Sequence, residues 1–126
     1  MITKFKLFEN KNNTLTLYHG TSDIVGDYLI ENGWKPRQSS GSGNMGNPKY
    51  LYVTTEPEDA RWFSNEIGED TVIEIIDVPI EFLRPDPEDE AGFTMDDLLK
   101  RKVTGLPSKF IITQPLDKNY FKKYEN

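Results

Sequence analysis

Four short segments rich in β-branched and aromatic residues constrain the fold of this chain most strongly. Each has the length and composition of a β-strand. Helical sequences separate some of them, without the regular alternation of strand and helix that a parallel sheet requires. The sequence therefore predicts an α+β fold, with strands over Leu15–Tyr18, Tyr50–Thr55, Thr71–Val78 and Lys109–Thr113.

Helical sequences follow the first two predicted strands. The N-cap residues Thr21–Asp23 begin the first helix, and apolar residues at helical spacing continue it as far as Asn32-Gly33. Thr55 is predicted to cap the second helix, which carries Trp62 and Phe63. Three less regular features are expected later in the chain: an irregular segment over Pro79–Pro87, a short helix over Met95–Lys102, and a short terminal helix or tail over Leu116–Tyr124.

The composition limits the chemistry that the chain can support. Its length predicts one domain over residues 1–126, with 1–13 as a flexible leader. The absence of cysteine excludes disulfides, thiolate zinc sites and a cysteine nucleophile. A single histidine leaves only carboxylates to hold a cation, so no metal is expected. No stretch reaches the ~20 apolar residues of a membrane span, and the N-terminus lacks a secretory signal, so we expect a cytoplasmic monomer away from membranes.

Charge and glycine content single out two further segments. The net charge of −6 argues against a protein that coats nucleic acid. Acidic charge concentrates in Asp86–Glu90, for which a solvated surface is one explanation. Basic residues surround the glycine-rich loop Arg37–Asn47, which lacks the lysine of a phosphate-binding P-loop. Because loops of this length are usually functional or disordered, we expect it to be mobile without ligand and to order over one.

Two positions stand out as candidates for chemistry. His19 ends the first strand and is followed by Gly20, whose lack of a side chain lets a ligand approach the backbone. A single histidine is equally consistent with a structural role. Tyr50 and Tyr52 are predicted to lie on one face of the second strand, where they either pack in the core or line a cleft.

The order of these segments resembles the diphtheria-toxin-like ADP-ribosyltransferase superfamily. That group includes poly(ADP-ribose) polymerases, small bacterial and phage transferases, and RNA 2′-phosphotransferases. The resemblance spans roughly Leu15 to Leu116 and is carried by Leu17–Thr21 (LYHGT), the glycine-rich loop and Tyr50–Thr54 (YLYVT). It implies two small sheets around an NAD cleft with short flanking helices.

The resemblance also implies a role for each site residue, with NAD⁺ as the co-substrate. The catalytic positions are His19, which holds the nicotinamide-side ribose, and Tyr52, whose ring stacks on nicotinamide. Further contacts are implied for Gly20, whose backbone bonds the carboxamide, for Thr21 after it, and for Trp62 or Phe63 as the opposing aromatic wall.

The chain departs from the family at one position. The family commonly has a glutamate at the start of the strand that we predict from Lys109, and a cation there opposes the positive charge of the transition state. Three interpretations remain open. An acid from Asp86–Glu90 fills the role, the transferase works without a carboxylate, or the domain binds NAD⁺ or ADP-ribose without turnover.

The function implied by the resemblance is a mono-ADP-ribosyltransferase. It moves ADP-ribose from NAD⁺ to a macromolecular acceptor, either protein or nucleic acid, and small members of this kind are often toxins or phage and host-conflict effectors. The alternatives are an RNA 2′-phosphotransferase-like enzyme and a catalytically degenerate NAD-binding module.

Overall fold

The computed structural model describes residues 13–37 and 48–125, and these form an α+β domain. Six strands are present: β1 Thr14–Thr21, β2 Leu51–Thr54, β3 Thr71–Pro79, β4 Leu83–Pro85, β5 Lys109–Ile112 and β6 Phe121–Lys123. Three α-helices accompany them: α1 Asp23–Asn32, α2 Pro57–Glu66 and α3 Met95–Val103. In the part of the chain that the structure describes, none of the helices has the length and apolar character needed to cross a membrane.

All six strands join one antiparallel sheet, in the order β4-β5-β2-β1-β3-β6. The prediction of two separate sheets is therefore wrong as to hydrogen bonding. The two halves of this one sheet are nevertheless joined by little backbone pairing, because β1 and β2 pair only at Tyr18 and Thr54. By contrast, β1 pairs with β3 along its whole length, from Thr14 to Thr21. The sheet thus consists of two three-stranded halves that meet at a single residue pair.

The core lies on the face of the sheet that carries alternate residues of the central strands. Leu17, Ile73 and Ile75 are fully buried there, together with Phe110 of β5. Leu98 of α3 packs into the same cluster. Burial of aliphatic side chains of this size stabilises a fold by about 1.5–3 kcal/mol each, so this shared core holds the two halves of the sheet together.

Helices α1 and α2 lie on opposite faces of the sheet. His19 and Ile73 are cross-strand partners and share a face, and a Cβ at Gly26 of α1 would lie 2.9 Å from the Cδ1 atom of Ile73. Gly20 faces the other way, and a Cβ there would lie 2.0 Å from the carbonyl oxygen of Ala60 in α2. The two helices therefore flank the end of β1 from both sides.

The structure corrects three local predictions. The segment predicted as irregular, Pro79–Pro87, contains a 3-10 turn over Ile80–Phe82 and the strand β4. The predicted terminal helix is a 3-10 turn over Lys118–Tyr120 followed by strand β6. Helix α2 has Glu56 rather than Thr55 at its N-cap. The predicted start and stop of α1 are confirmed, since the Ser22 hydroxyl accepts from Val25 N–H and Gly33 ends the helix with a φ of 79°.

Candidate functional site

A cleft opens beyond the single residue pair that joins β1 to β2. The cleft is open to solvent on one side and has a volume of about 1230 Å³, somewhat above the ~300–1,000 Å³ that is typical of small-molecule sites. The six residues to which the resemblance gives a contact with NAD⁺ all line this cleft: His19, Gly20, Thr21, Tyr52, Trp62 and Phe63.

The side chain of His19 bridges the strands where their backbone pairing stops. Its Nδ1 atom lies 2.7 Å from the carbonyl oxygen of Tyr52. Because a carbonyl can only accept, Nδ1 carries the proton and donates it, and in the neutral ring Nε2 is an acceptor. The bond ties the predicted catalytic residues His19 and Tyr52 together and fixes the tautomer of the imidazole.

Burial lowers the pKa of His19 from its ordinary value of 6.5, and the hydrogen bond to the Tyr52 carbonyl opposes this shift only in part. Removal from water penalises the charged imidazolium. The ring is therefore neutral at pH 7, with a lone pair on Nε2 for a hydroxyl donor.

We expect the single histidine of this chain to titrate below pH 6.5. Because the unfolded histidine binds a proton at a higher pH, the free energy of unfolding should rise as the pH increases from the lowered pKa to 6.5 and be level above it. Proton NMR of the His19 ring measures the titration directly, and urea unfolding of His19→Gln should lack this pH dependence. A resonance that titrates at or above 6.5 would contradict the neutral-ring assignment.

Gly20 and Thr21 are held at the cleft by helix α2. The hydroxyl of Ser64, which is fully buried, donates to the carbonyl oxygen of Thr21 at 3.0 Å and accepts from the N–H of Thr71. Gly20 itself is buried against the backbone of Ala60. The sequence interpretation assigned this glycine to ligand approach, and the structure adds helix packing as a second reason for it.

Aromatic side chains line the same cleft as His19. The Tyr52 ring contacts Tyr50 edge-on, with 6.0 Å between the ring centroids; Tyr50 lies just before β2 rather than within it. Trp62 and Phe63 are successive residues of α2 and are 62% and 39% exposed. Large aromatics left this exposed beside a cleft are available to stack on a planar ligand.

The acidic run divides into structural and cleft-facing residues. Glu90 is buried, pairs with both terminal nitrogens of Arg101, and accepts from the backbone N–H of Lys109. Asp86 is buried and accepts from two backbone N–H groups within the same turn. Asp89 is half exposed, lines the cleft, and lies 3.2 Å from the Nζ atom of Lys109. Asp89 and Glu88 thus each combine a cleft position with a carboxylate that accepts no bond from the described backbone, and of the two it is Asp89 that pairs with Lys109.

Lys109 stands where the ADP-ribosyltransferase superfamily commonly has a glutamate, and in the structure it is paired with Asp89. Lys109 begins β5, opposite Thr54 of β2, and lines the cleft. Its charge is offset by a carboxylate at hydrogen-bonding distance. The position therefore presents an ion pair to the cleft and not an isolated cation.

Asp59 is a cleft residue that the sequence did not single out. It lies in the first turn of α2, and the Thr54 hydroxyl donates to its carboxylate at 3.3 Å. An acid at that position is explained by the helix dipole alone, so the sequence carried no separate signal for a site. Asp59 lines the cleft together with Asp89 and Lys109.

Basic residues line the cleft near the start of β2, where Arg37 is bonded to Pro48, whereas Lys109 lies opposite Thr54 at the end of that strand. Lys35 and Arg37 line the cleft, and both are exposed. The N–H of Arg37 donates to the carbonyl oxygen of Pro48 at 3.1 Å, which closes the base of the glycine-rich loop. Residues 38–47 of that loop and 1–12 of the predicted leader lie outside the described residues, so the predictions of mobility and of ligand covering stay predictions.

The site combines a histidine that can accept a hydrogen bond, exposed aromatic rings, and basic and acidic side chains that lie near opposite ends of β2. Within the described residues, no group of three or more histidine or acidic side chains is placed to hold a metal ion. Comparison of this chain with protein-family models, with curated proteins and with solved structures finds no match.

Proposed function

We propose that this protein is a mono-ADP-ribosyltransferase that takes ADP-ribose from NAD⁺ and attaches it to a macromolecular acceptor. The observation that carries the proposal is the bond from His19 Nδ1 to the Tyr52 carbonyl, which joins two residues of the cleft. It joins the two residues that the sequence resemblance implies as catalytic. It also leaves Nε2 of a neutral ring as an acceptor for a ribose hydroxyl.

The proposed reaction breaks one bond and forms one at the nicotinamide-side ribose. The C1′–N bond breaks, and nicotinamide departs with the bonding electron pair as a neutral molecule. The acceptor's nucleophilic atom bonds to C1′ and loses its proton to a base or to solvent. His19 fixes the ribose and Tyr52 holds the nicotinamide ring, so both contribute mainly by orienting the reacting groups.

The charges along the cleft support a defined orientation of NAD⁺. Lys35 and Arg37, near the start of β2, suit the pyrophosphate, since guanidinium and ammonium groups form charge-assisted bonds to phosphate oxygens. The carboxylates of Asp59 and Asp89, near the end of that strand, suit the positive charge that develops at C1′.

Incubation of the protein with adenine-labelled NAD⁺ and a whole-cell lysate tests the proposal. Label should appear in a macromolecular fraction, and separate digestion with protease, DNase and RNase identifies the acceptor class. Binding of NAD⁺ with no incorporation into any fraction would instead favour the degenerate binding module.

We expect His19→Ala and Tyr52→Ala each to weaken NAD⁺ binding by about 1–3 kcal/mol. The first removes the ribose acceptor and the second removes the stacking ring. Isothermal titration calorimetry measures the loss, with the thermal unfolding midpoint as a check on the fold. Phe93→Ala is the matched control, because Phe93 is 49% exposed and lies outside the cleft. Unchanged affinity in both cleft variants would remove the proposal.

A further inference from the structure

We infer that the exposed face of α1 docks a protein segment in which apolar side chains alternate with lysine or arginine. This inference rests on the proposed function and deepens it, because it makes the acceptor a protein and not a nucleic acid. The α1 face is defined here by the apolar residues Ile24, Val25 and Tyr28 and the acidic residues Asp27 and Glu31.

The α1 face exposes apolar side chains that the core does not use. Ile24 is 82% exposed, Val25 44% and Tyr28 60%. The helix already buries Gly26 and Leu29 against the sheet, so these three side chains point away from that packing. Residues three and four apart share a helix face, and Ile24 and Tyr28 therefore form one continuous apolar strip.

The strip lies on the lip of the cleft. Ile24, Val25 and Tyr28 all line the cleft that contains His19. Trp62 and Ile67 line the same cleft and are also exposed, at 62% and 39%. Exposed apolar side chains that gather at one cleft of a monomer often mark a functional surface. A segment held on this strip would have its own side chains at the entrance to the site.

The charges on α1 select the kind of partner. Asp27 and Glu31 are exposed and follow the same helix face as Ile24 and Tyr28. The helix Asp23–Asn32 contains no lysine or arginine. Its remaining acid, Asp23, is engaged by Lys123 at 3.4 Å and by the Thr71 hydroxyl. Such a face attracts cationic side chains, while it repels the phosphates of a nucleic acid and the same acidic face of a second copy.

Fluorescence anisotropy of the full chain with a labelled synthetic peptide of leucine and lysine tests the inference. The comparison ligands are the same peptide with glutamate in place of lysine and a labelled single-stranded oligonucleotide. The double variant Ile24→Ser/Tyr28→Ser removes the apolar strip. The matched control is Val103→Ser/Leu106→Ser, since both of those residues are similarly exposed, at 67% and 56%, but lie outside the cleft.

The leucine–lysine peptide should bind to the wild type and to the control variant alike. Loss of the strip should weaken its binding about tenfold or more. The double variant Asp27→Lys/Glu31→Lys should weaken peptide binding more at low ionic strength than at high ionic strength, because salt screens exposed charges. These titrations contain no NAD⁺, so docking can fail while nucleotide binding stands, or the reverse.

Three results would overturn the inference. Equal peptide affinity in the strip variant and the control variant would show that the α1 face is not the docking surface. Binding of the oligonucleotide that depended on Ile24 and Tyr28 would assign the face to nucleic acid. Sedimentation showing a dimer that Ile24→Ser/Tyr28→Ser dissociates would assign it to a second copy of the chain.

Discussion

Replacing Gly20 with alanine is expected to destabilise the fold by about 3 kcal/mol or more, at the upper end of what overpacking costs. The new Cβ would lie 2.0 Å from the carbonyl oxygen and 2.9 Å from the carbonyl carbon of Ala60. Both atoms belong to the backbone of α2, which cannot rotate aside as a side chain does. Relief of the clash requires α2 to move away from β1, and that movement breaks the bonds of Ser64 to Thr21 and Thr71.

Urea unfolding followed by far-UV circular dichroism measures this loss. Gly105→Ala serves as the control, because a Cβ at Gly105 meets nothing within 4 Å although its φ is 87°. That variant carries only the backbone strain of a left-handed residue, about 1–2 kcal/mol. Equal losses in the two variants would mean that helix contact is not what requires glycine at position 20.

The parts of the fold that were predictable from the sequence are those with a local cause. The apolar run Thr71–Val78 and the aromatic, β-branched run Tyr50–Thr55 each carry their strand propensity in their own side chains. Ser22 and Gly33 bound α1 through capping chemistry that is local as well. Each of these elements lies within a residue or two of its predicted bounds.

The edge strands could not be predicted, because their cause is not local. Strand β4, Leu83–Pro85, contains an arginine and ends in proline, and β6, Phe121–Lys123, ends in two lysines. Neither shows alternation or β-branched residues. They become strands because β5 and β3 offer unpaired backbone groups at the edges of the sheet. Charge and proline are also the residues expected on an edge strand.

The sequence brought some of the cleft residues to attention but not the bonds between them. His19, Tyr52, Trp62 and Phe63 line one cleft, and their role in binding NAD⁺ stays a prediction. The bond from the His19 ring to the Tyr52 carbonyl forms because β1 and β2 separate after one residue pair. No feature of the sequence indicates where that pairing stops. The engagement of Glu90 by Arg101 and of Lys109 by Asp89 likewise joins residues brought together only by the fold.

Asp89→Asn is expected to reduce ADP-ribosyl transfer about 100-fold or more while NAD⁺ affinity stays within about twofold. A carboxylate that orients the nucleophile or stabilises charge at C1′ acts mainly in the transition state, so its loss lowers the rate of transfer and not binding. Asp89 and Lys109 are 56% and 41% exposed, and an ion pair this exposed contributes at most about 1 kcal/mol to stability. Loss of activity therefore does not reflect unfolding.

Single-turnover transfer and calorimetric NAD⁺ binding separate the two effects. Asp96→Asn is the matched control, since Asp96 pairs with Lys100 at 3.4 Å and lies outside the cleft. Lys109→Glu is the complementary variant. If Lys109 holds Asp89 in place, a glutamate there repels that carboxylate and transfer falls as well. If the wild type only binds NAD⁺, the same change supplies the missing acid and slow NAD⁺ hydrolysis appears. Full transfer activity in Asp89→Asn would rule out Asp89 and leave two other cleft carboxylates to replace next, Glu88 and Asp59, the second of which the Thr54 hydroxyl orients.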